Sequence, residues 1–201
     1  MTIQDLKRKL DFIEIIESDW TQHECGGWVY KTAQVEKMAK IYGIVSGNAR
    51  VYDNAQVSDN AQVSGNAQVS GNAQVSDNAW VSGNARVSGN AQVYGDAQVY
   101  GDAWVSGDAQ VSDNAQVYGD ARVSGDAQVS GNAWKSSPLF VVGSKHSLTN
   151  CKHGYIQIGC FCLTFDEWGK DYKKIGKENG YTDNQIREYG EYIKLFKKVG
   201  R

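Results

Sequence analysis

Cys151, His153, Cys160 and Cys162 lie close together in the chain and are of the types that hold zinc through thiolate and imidazole. Their spacing differs from the paired Cys-X-X-Cys knuckle. In an extended strand, Cys160 and Cys162 would share one face with Ile156 and Ile158 and read as small buried apolar groups. No metal and no other cofactor is therefore expected. The fourth cysteine, Cys25, stands apart, and the uneven placement is not the disulfide framework of a small secreted domain.

The imidazoles are His23, His146 and His153. Acyl transfer calls for a general base such as histidine at a cleft. Zinc-dependent hydration needs three histidines around one ion. Between Val45 and Ala133 there is no His, Cys, Glu or Lys. Nor does a Gly-rich phosphate loop follow a strand and open a helix. The chemistry-bearing residues thus flank a long segment that carries almost none, and the chain is expected not to be an enzyme.

That segment is a repeat. In sixes from Val45 it reads Val, Ser or Tyr, Gly or Asp, Asn or Asp, Ala, and a variable residue. Val recurs at every sixth position to Val129, and Ala follows each Val by four, to Ala133. Strand side chains alternate, so Ala and Val of a unit such as Ala67-Gln68-Val69 face inward while the variable residue faces out. Residues such as Ser70-Gly71-Asn72 supply corners, where Gly and Asn tolerate positive φ. Three strands and three corners close an eighteen-residue coil. The fifteen repeats then make five coils, a prism roughly 24 Å long at about 4.8 Å per coil. Upstream, Val29, Ala33, Val35, Ala39 and Ile41 keep the rhythm, and the register slips by two before Val45, which predicts an irregular first coil.

The unit Val45-Ser46-Gly47-Asn48-Ala49-Arg50 resembles that of the hexapeptide-repeat, left-handed β-helix superfamily. The resemblance covers nearly half the chain and implies a mainly β fold, a left-handed parallel β-helix shaped as a triangular prism. That superfamily includes acyltransferases, γ-class carbonic anhydrases and non-catalytic scaffolds, so the fold leaves function open.

Residues eighteen apart should share a face. One face carries Gln56, Gln74, Gln92, Gln110 and Gln128, expected to be solvated amides bonded along the stack. A second carries Arg50, Gln68, Arg86, Trp104 and Arg122, with Trp104 between two guanidinium groups. A third carries Gln62, Trp80, Gln98, Gln116 and Trp134. Exposed Trp and Arg are the types enriched in binding hot spots, so Trp80, Trp104, Trp134, Arg50, Arg86 and Arg122 form the candidate binding surface. At the corners Asp102 should stack on Asp120 and Asp108 on Asp126. These read as solvated carboxylates, because the nonapeptide of calcium-binding β-rolls is absent.

Four segments are expected. Residues 1–27 form an N-terminal cap, in which Ile3, Leu6, Leu10 and Ile13 have the spacing of a short helix over the open end. The β-helix follows at 28–134. A strand-rich end cap spans 135–163, with strands at Leu139–Val142 and Tyr155–Leu163. A helical hairpin ends the chain at 164–201. Its helices begin at capping boxes, Thr164 with Glu167 and Thr182 with Gln185, and Gly180 stops the first. Two helices offer only one mutual face, so Trp168, Tyr172, Tyr189, Tyr192, Ile193 and Phe196 should pack on the β-helix end or on another subunit. Closed symmetry and the hexapeptide resemblance favour a homotrimer.

The residues Ile156-Gln157-Ile158-Gly159-Cys160, Glu167-Trp168, Ile175-Gly176 and Gly180-Tyr181-Thr182 resemble the tail of repeat proteins of bacteriophages and prophages, which implies a phage setting. The net charge of −2 divides into an acidic repeat and a basic tail. The hairpin lysines, diluted by acidic neighbours, read as a solvated face, and no nucleic acid is expected. Neither a membrane span nor a leader is apparent, and a cytoplasmic location is expected, in the host if the chain is phage-encoded. The favoured function is a non-enzymatic scaffold acting by binding or self-assembly, as a virion component or an inhibitor of a host defence protein. The alternative is an acyltransferase using His146 or His153 at a subunit interface.

Overall fold

The computed structural model describes residues 2–10, 15–131, 133–134 and 137–200, with 133 and 134 described by their backbone alone. The repeat is a parallel β-solenoid of six turns with three sheets. The first sheet runs from Trp28–Tyr30 through Ile44–Val45 and Trp80–Val81 to Ala133–Trp134. The second runs from Gln34–Val35 to Arg122–Val123, and the third from Lys40–Ile41 to Gln128–Ser130. Most strands are two residues long, the variable residue and its Val. The expected third member, Ala, lies outside the strand yet is just as buried. From Val45 to Val129 each Val and each intervening Ala is at most 1 % exposed.

The faces sort as the spacing predicts. Gln74 lies between Gln56 and Gln92, and Arg86 between Gln68 and Trp104. Each turn donates its N–H groups to carbonyls of the next, as from Gln74 N to Ala91 O (2.9 Å). The first turn is two residues shorter: Gln34 pairs with Arg50 and Lys40 with Gln56, sixteen residues on. The shortened corner turns at Gly43, where a Cβ would sit 2.5 Å from Ala61 O, so only glycine fits.

The last rung corrects the third face. Ala133 pairs with Gln116, and Trp134 with Val117. Register is held by inward-facing apolar residues, and where the next Val is due the sequence has Lys135. Trp134 therefore does not continue the Gln62, Trp80, Gln98, Gln116 row, and its side chain lies outside the described residues.

The corners hold the amide ladders that were expected on the glutamine face. Asn48 donates to Asn66, Asn66 to Asn84, and Asn84 to Asp102 (3.4, 3.1 and 3.0 Å). A second column runs from Asn54 through Asn72 and Asn90 to Asp108, and a third from Asn60 through Asn78 to Asp96. Each amide donates toward the C-terminal end, and each run finishes on a carboxylate, which can only accept. Among the described residues no side-chain bond joins one glutamine of the ladder face to the next. One residue earlier, the corner sits at positive φ. It is Gly at most turns and Asp at 53, 59, 77 and 113. Asp53 and Asp77 use their carboxylates to accept the Gly71 and Gly95 N–H of the next turn (both 3.0 Å).

At the N-terminal end, helix α1 (Ile3–Lys9) starts at a Thr2–Asp5 capping box and buries Leu6. Ile13 lies outside the described residues. Helix α1 reaches the third corner column, where the Lys9 ammonium donates to Asn60 Oδ1. The edge of the first sheet is continued by the antiparallel strand Trp20–Gln22, with Trp20 opposite Tyr30.

Beyond the solenoid stands a four-stranded antiparallel sheet in the order Phe140–Val142, Ser147–Lys152, Tyr155–Ile158, Phe161–Thr164. Helix α2 (Phe165–Glu178) and helix α3 (Asp183–Val199) follow, each begun by its expected capping box. The expected strand over 155–163 is two strands, because the chain turns at Gly159 (φ 57°). The strand Ser147–Lys152 was not expected at all. Its polar Thr149 and Asn150 are buried, and the Asn150 amide donates to Lys152 O and Tyr155 O (3.0 and 2.9 Å). Phe140 packs on the end of the Val–Ala core, and Ser137 Oγ accepts from Arg122 N at 2.9 Å.

Candidate functional site

On the solenoid the outward residues are held in place by the corners. The Trp80 indole N–H donates to Ser64 Oγ (3.1 Å), and that of Trp104 to Ser88 Oγ (3.2 Å). Both serines are corner residues sixteen positions upstream, so each ring is tied to the turn below it. The rings nevertheless remain 45 % and 39 % exposed. The Arg122 guanidinium lies over the Trp104 ring at 5.6 Å, within cation–π reach. Arg86 is the rung before Trp104 by register, while Arg50 turns toward the Tyr52 ring at 6.0 Å. The expected sandwich of Trp104 between two guanidinium groups is thus, among the described contacts, a stack with Arg122. A groove of about 420 Å³ runs along this face, bordered by Gln68, Arg86, Trp104, Arg122 and the corner residues Asn84 and Asp102.

The tail brings together a different set. Trp168, Tyr189, Ile193 and Phe196 are at most 4 % exposed and pack with Leu148, Ile156 and Ile158; Tyr172 and Tyr192 lie against the same cluster. The expectation that these rings need the β-helix end or another subunit is corrected. Their third layer is the tail's own antiparallel sheet, whose second strand the sequence did not reveal. The Trp168 indole N–H donates to Ile156 O at 2.8 Å. The Tyr189 hydroxyl accepts from Lys145 N and His146 N and donates to His146 O (2.6 Å). Glu188 accepts from Ser144 N at 2.8 Å and from its hydroxyl, and these bonds hold its carboxyl below the usual range. Lys145 Nζ donates to Asn179 O and Gly180 O at the end of α2 (2.8 and 3.0 Å). The 143–146 loop is thereby fastened to both helices. Under it lies a cavity of about 270 Å³ between sheet and hairpin, which sequence reasoning missed because nothing local marks it.

The cysteines fall otherwise than expected. Cys160 belongs to the turn after Gly159, and both it and Cys162 are exposed rather than buried beside Ile156 and Ile158. Cys151 is buried, with its Sγ 3.0 Å from Cys162 Sγ, and burial followed by the Cys162 contact pushes its thiol up to about 12. Among the described residues no group of three or more His, Cys, Asp or Glu is placed to hold a metal ion. No helix among them is long and apolar enough to cross a membrane.

The repeats match the family model described as the YdcK beta solenoid repeat, over residues 45–59, 55–71, 61–77, 67–83, 73–89, 79–95, 91–113 and 115–131. All of these matches lie within the solenoid. No curated protein and no solved structure matches the chain.

Proposed function

We propose that the protein is a non-enzymatic scaffold that acts by binding, through the face carrying Arg86, Trp104 and Arg122. The observation that carries this reading is the fixed presentation of Trp104. Its ring is tied to Ser88, covered on one side by Arg122, and still exposed. A ring already held in place loses little conformational freedom when a partner covers it, and that favours affinity. Arg50 and Trp80 extend the candidate surface to neighbouring parts of the rod.

The experiment compares partners captured from host lysate by the wild-type chain and by Trp104→Ala with Arg122→Ala, both checked for intact folding. A partner retained by the wild type and lost by the folded double variant supports the reading. Identical partners for both would overturn it.

A host defence protein or a virion component as partner, and a phage origin, rest on the resemblance of the tail alone. A homotrimer now rests on the exposed tryptophans, the partly buried Tyr172 and Tyr192, and on resemblance, because Trp168, Tyr189 and Phe196 are buried within one chain. Light scattering at micromolar concentration separates one 22.1 kDa chain from three. The acyltransferase alternative has one observation in its favour, His146 at the mouth of the tail cavity. The residues lining that cavity include no Lys or Arg to meet the phosphates of a coenzyme-A donor, so it stays the second reading. Calorimetry with acetyl-coenzyme A tests it.

A further inference from the structure

We infer that the cavity between the tail sheet and the helical hairpin is a binding site for a small neutral aromatic molecule of one or two fused rings, bearing one N–H or O–H group. This stands apart from the Trp104 face and does not depend on it.

The first ground is size. The cavity measures about 270 Å³, whereas an apolar cavity of about 150 Å³ is already enough to hold benzene. The second is that the walls cannot close over it. Helices α2 and α3 already touch at two glycines, where a Cβ at Gly176 would lie 2.9 Å from Ile186 Cγ1 and one at Gly190 would lie 2.8 Å from the Tyr172 ring. On the sheet side Trp168 is held to Ile156 O, and above it Tyr189 is held to the 143–146 loop. The contacts that fasten the hairpin therefore also hold the space open, and an apolar void left empty loses the dispersion contacts of its lining.

The third ground is chemistry. The deep walls are Ile158, Trp168, Ile186, Tyr189 and Ile193, all buried, and no lining residue carries a fixed charge. A charged guest would lose its hydration there, and the nearest fixed charge, the Lys145 ammonium, is already engaged by Asn179 O, Gly180 O and the Tyr181 ring (4.5 Å). Tyr181 stands edge-on to Tyr189 with centroids 5.0 Å apart, and His146 lies tilted to Tyr181 at 6.0 Å, an arrangement of edges and faces that suits a flat ring. Burial and the neighbouring Tyr189 push the Tyr181 hydroxyl up to about 12, so it remains neutral. At the mouth, the exposed His146 imidazole can take one hydrogen bond from the guest, beside Gly159 and Cys160.

Indole is the probe, titrated into the full-length chain by calorimetry, with benzoate as a charged ring of similar size. Saturable one-to-one binding of indole, about tenfold or more tighter than benzoate, is expected. Filling the wall by Ile175→Trp should weaken indole by at least about tenfold while leaving the protein folded. Should that variant fail to fold, wild-type protein supplies an independent readout. Saturating indole should slow alkylation of Cys160 by iodoacetamide, read by peptide mass mapping, and leave Cys25 unchanged. No saturable binding up to the solubility of indole would overturn the inference. So would equal binding of benzoate, or binding that neither the filled wall nor Cys160 reports.

Discussion

Val75 meets Val57 on the turn before and Val93 on the turn after, and the whole core from Ala39 to Val129 repeats that contact in Val and Ala, with Ile41 at its start. In the tail, Trp168, Tyr189 and Phe196 each occupy a place nothing else repeats, between a small antiparallel sheet and two helices. The solenoid core is thin, uniform and closed by neighbours eighteen residues away. The tail core is bulky, irregular and assembled from strands and helices far apart in the chain. Among the described residues the solenoid interior is a column of Val and Ala at most 1 % exposed, so whatever the solenoid recognises must meet its outer faces. The tail packs unlike shapes together and so can leave a space inside.

The largest effect should come from Val87→Asp. The site is fully buried in a column too narrow to hydrate a carboxylate, so a loss on the order of 4 kcal/mol or more is expected, enough to abolish cooperative unfolding of the solenoid in denaturant. Retention of the wild-type denaturation midpoint would break the picture of a closed apolar column. Trp168→Ala should come next, at about 3–5 kcal/mol, because it removes a buried ring and a hydrogen bond to Ile156. The comparison sharpens if this loss lowers only the tail's transition, followed by near-ultraviolet dichroism, and leaves the β signal of the solenoid in place.

A smaller effect is expected at the corners, where the two permitted residues can be told apart. Gly89 lies at φ 72°, and a Cβ there would sit 2.9 Å from Gly107 N. Gly89→Val should cost about 2 kcal/mol. Gly89→Asp should cost less than half of that, since Asp53 in the same column adopts this geometry and accepts the N–H above it. Equal costs would show that the carboxylate contributes nothing at these turns. Asn72→Ala, which interrupts one corner ladder between Asn54 and Asn90, should cost about 1 kcal/mol in the same assay.

The smallest effect is acid sensitivity of the tail. Bonds from Ser144 lower the Glu188 carboxyl, and the same direction holds for Asp166 through Lys197 and for Glu167 through Thr164. A depressed folded value means the stabilisation is present above the ordinary carboxylate pKa of about 4.5 and is lost as pH falls through the lower folded value. These groups are at the surface, so a modest drop in the tail's melting temperature between pH 6 and pH 3 is expected, with faster amide exchange at Ser144. An unchanged exchange rate would argue against the Glu188 clasp.

The solenoid was legible because its rule is local. Val at every sixth place and Ala four later force alternate residues inward, and eighteen residues close a turn, so the neighbours of Gln74 or Arg86 can be counted out without coordinates. That counting failed where the rule stopped, at Trp134, one place out of register once Lys135 replaced the next Val. It also placed the amide ladder on the wrong residues, because periodicity assigns Asn and Gln to a column but does not say which amides come within bonding distance.

The amino-acid sequence by itself determined the solenoid, its three outer faces, both hairpin helices and the places where they begin. Each of these depends on contacts set by spacing along the chain, or on a capping box spanning three residues. Only the tertiary structure decided that Ser147–Lys152 is a buried strand despite its polar residues, that the tail rings find cover within their own chain, and that a cavity remains between sheet and hairpin. Those outcomes depend on whether side chains distant in sequence fill the space between elements, and on where Asn150 and Tyr189 find their hydrogen-bond partners. Shape matching of that kind leaves no period in the sequence to read.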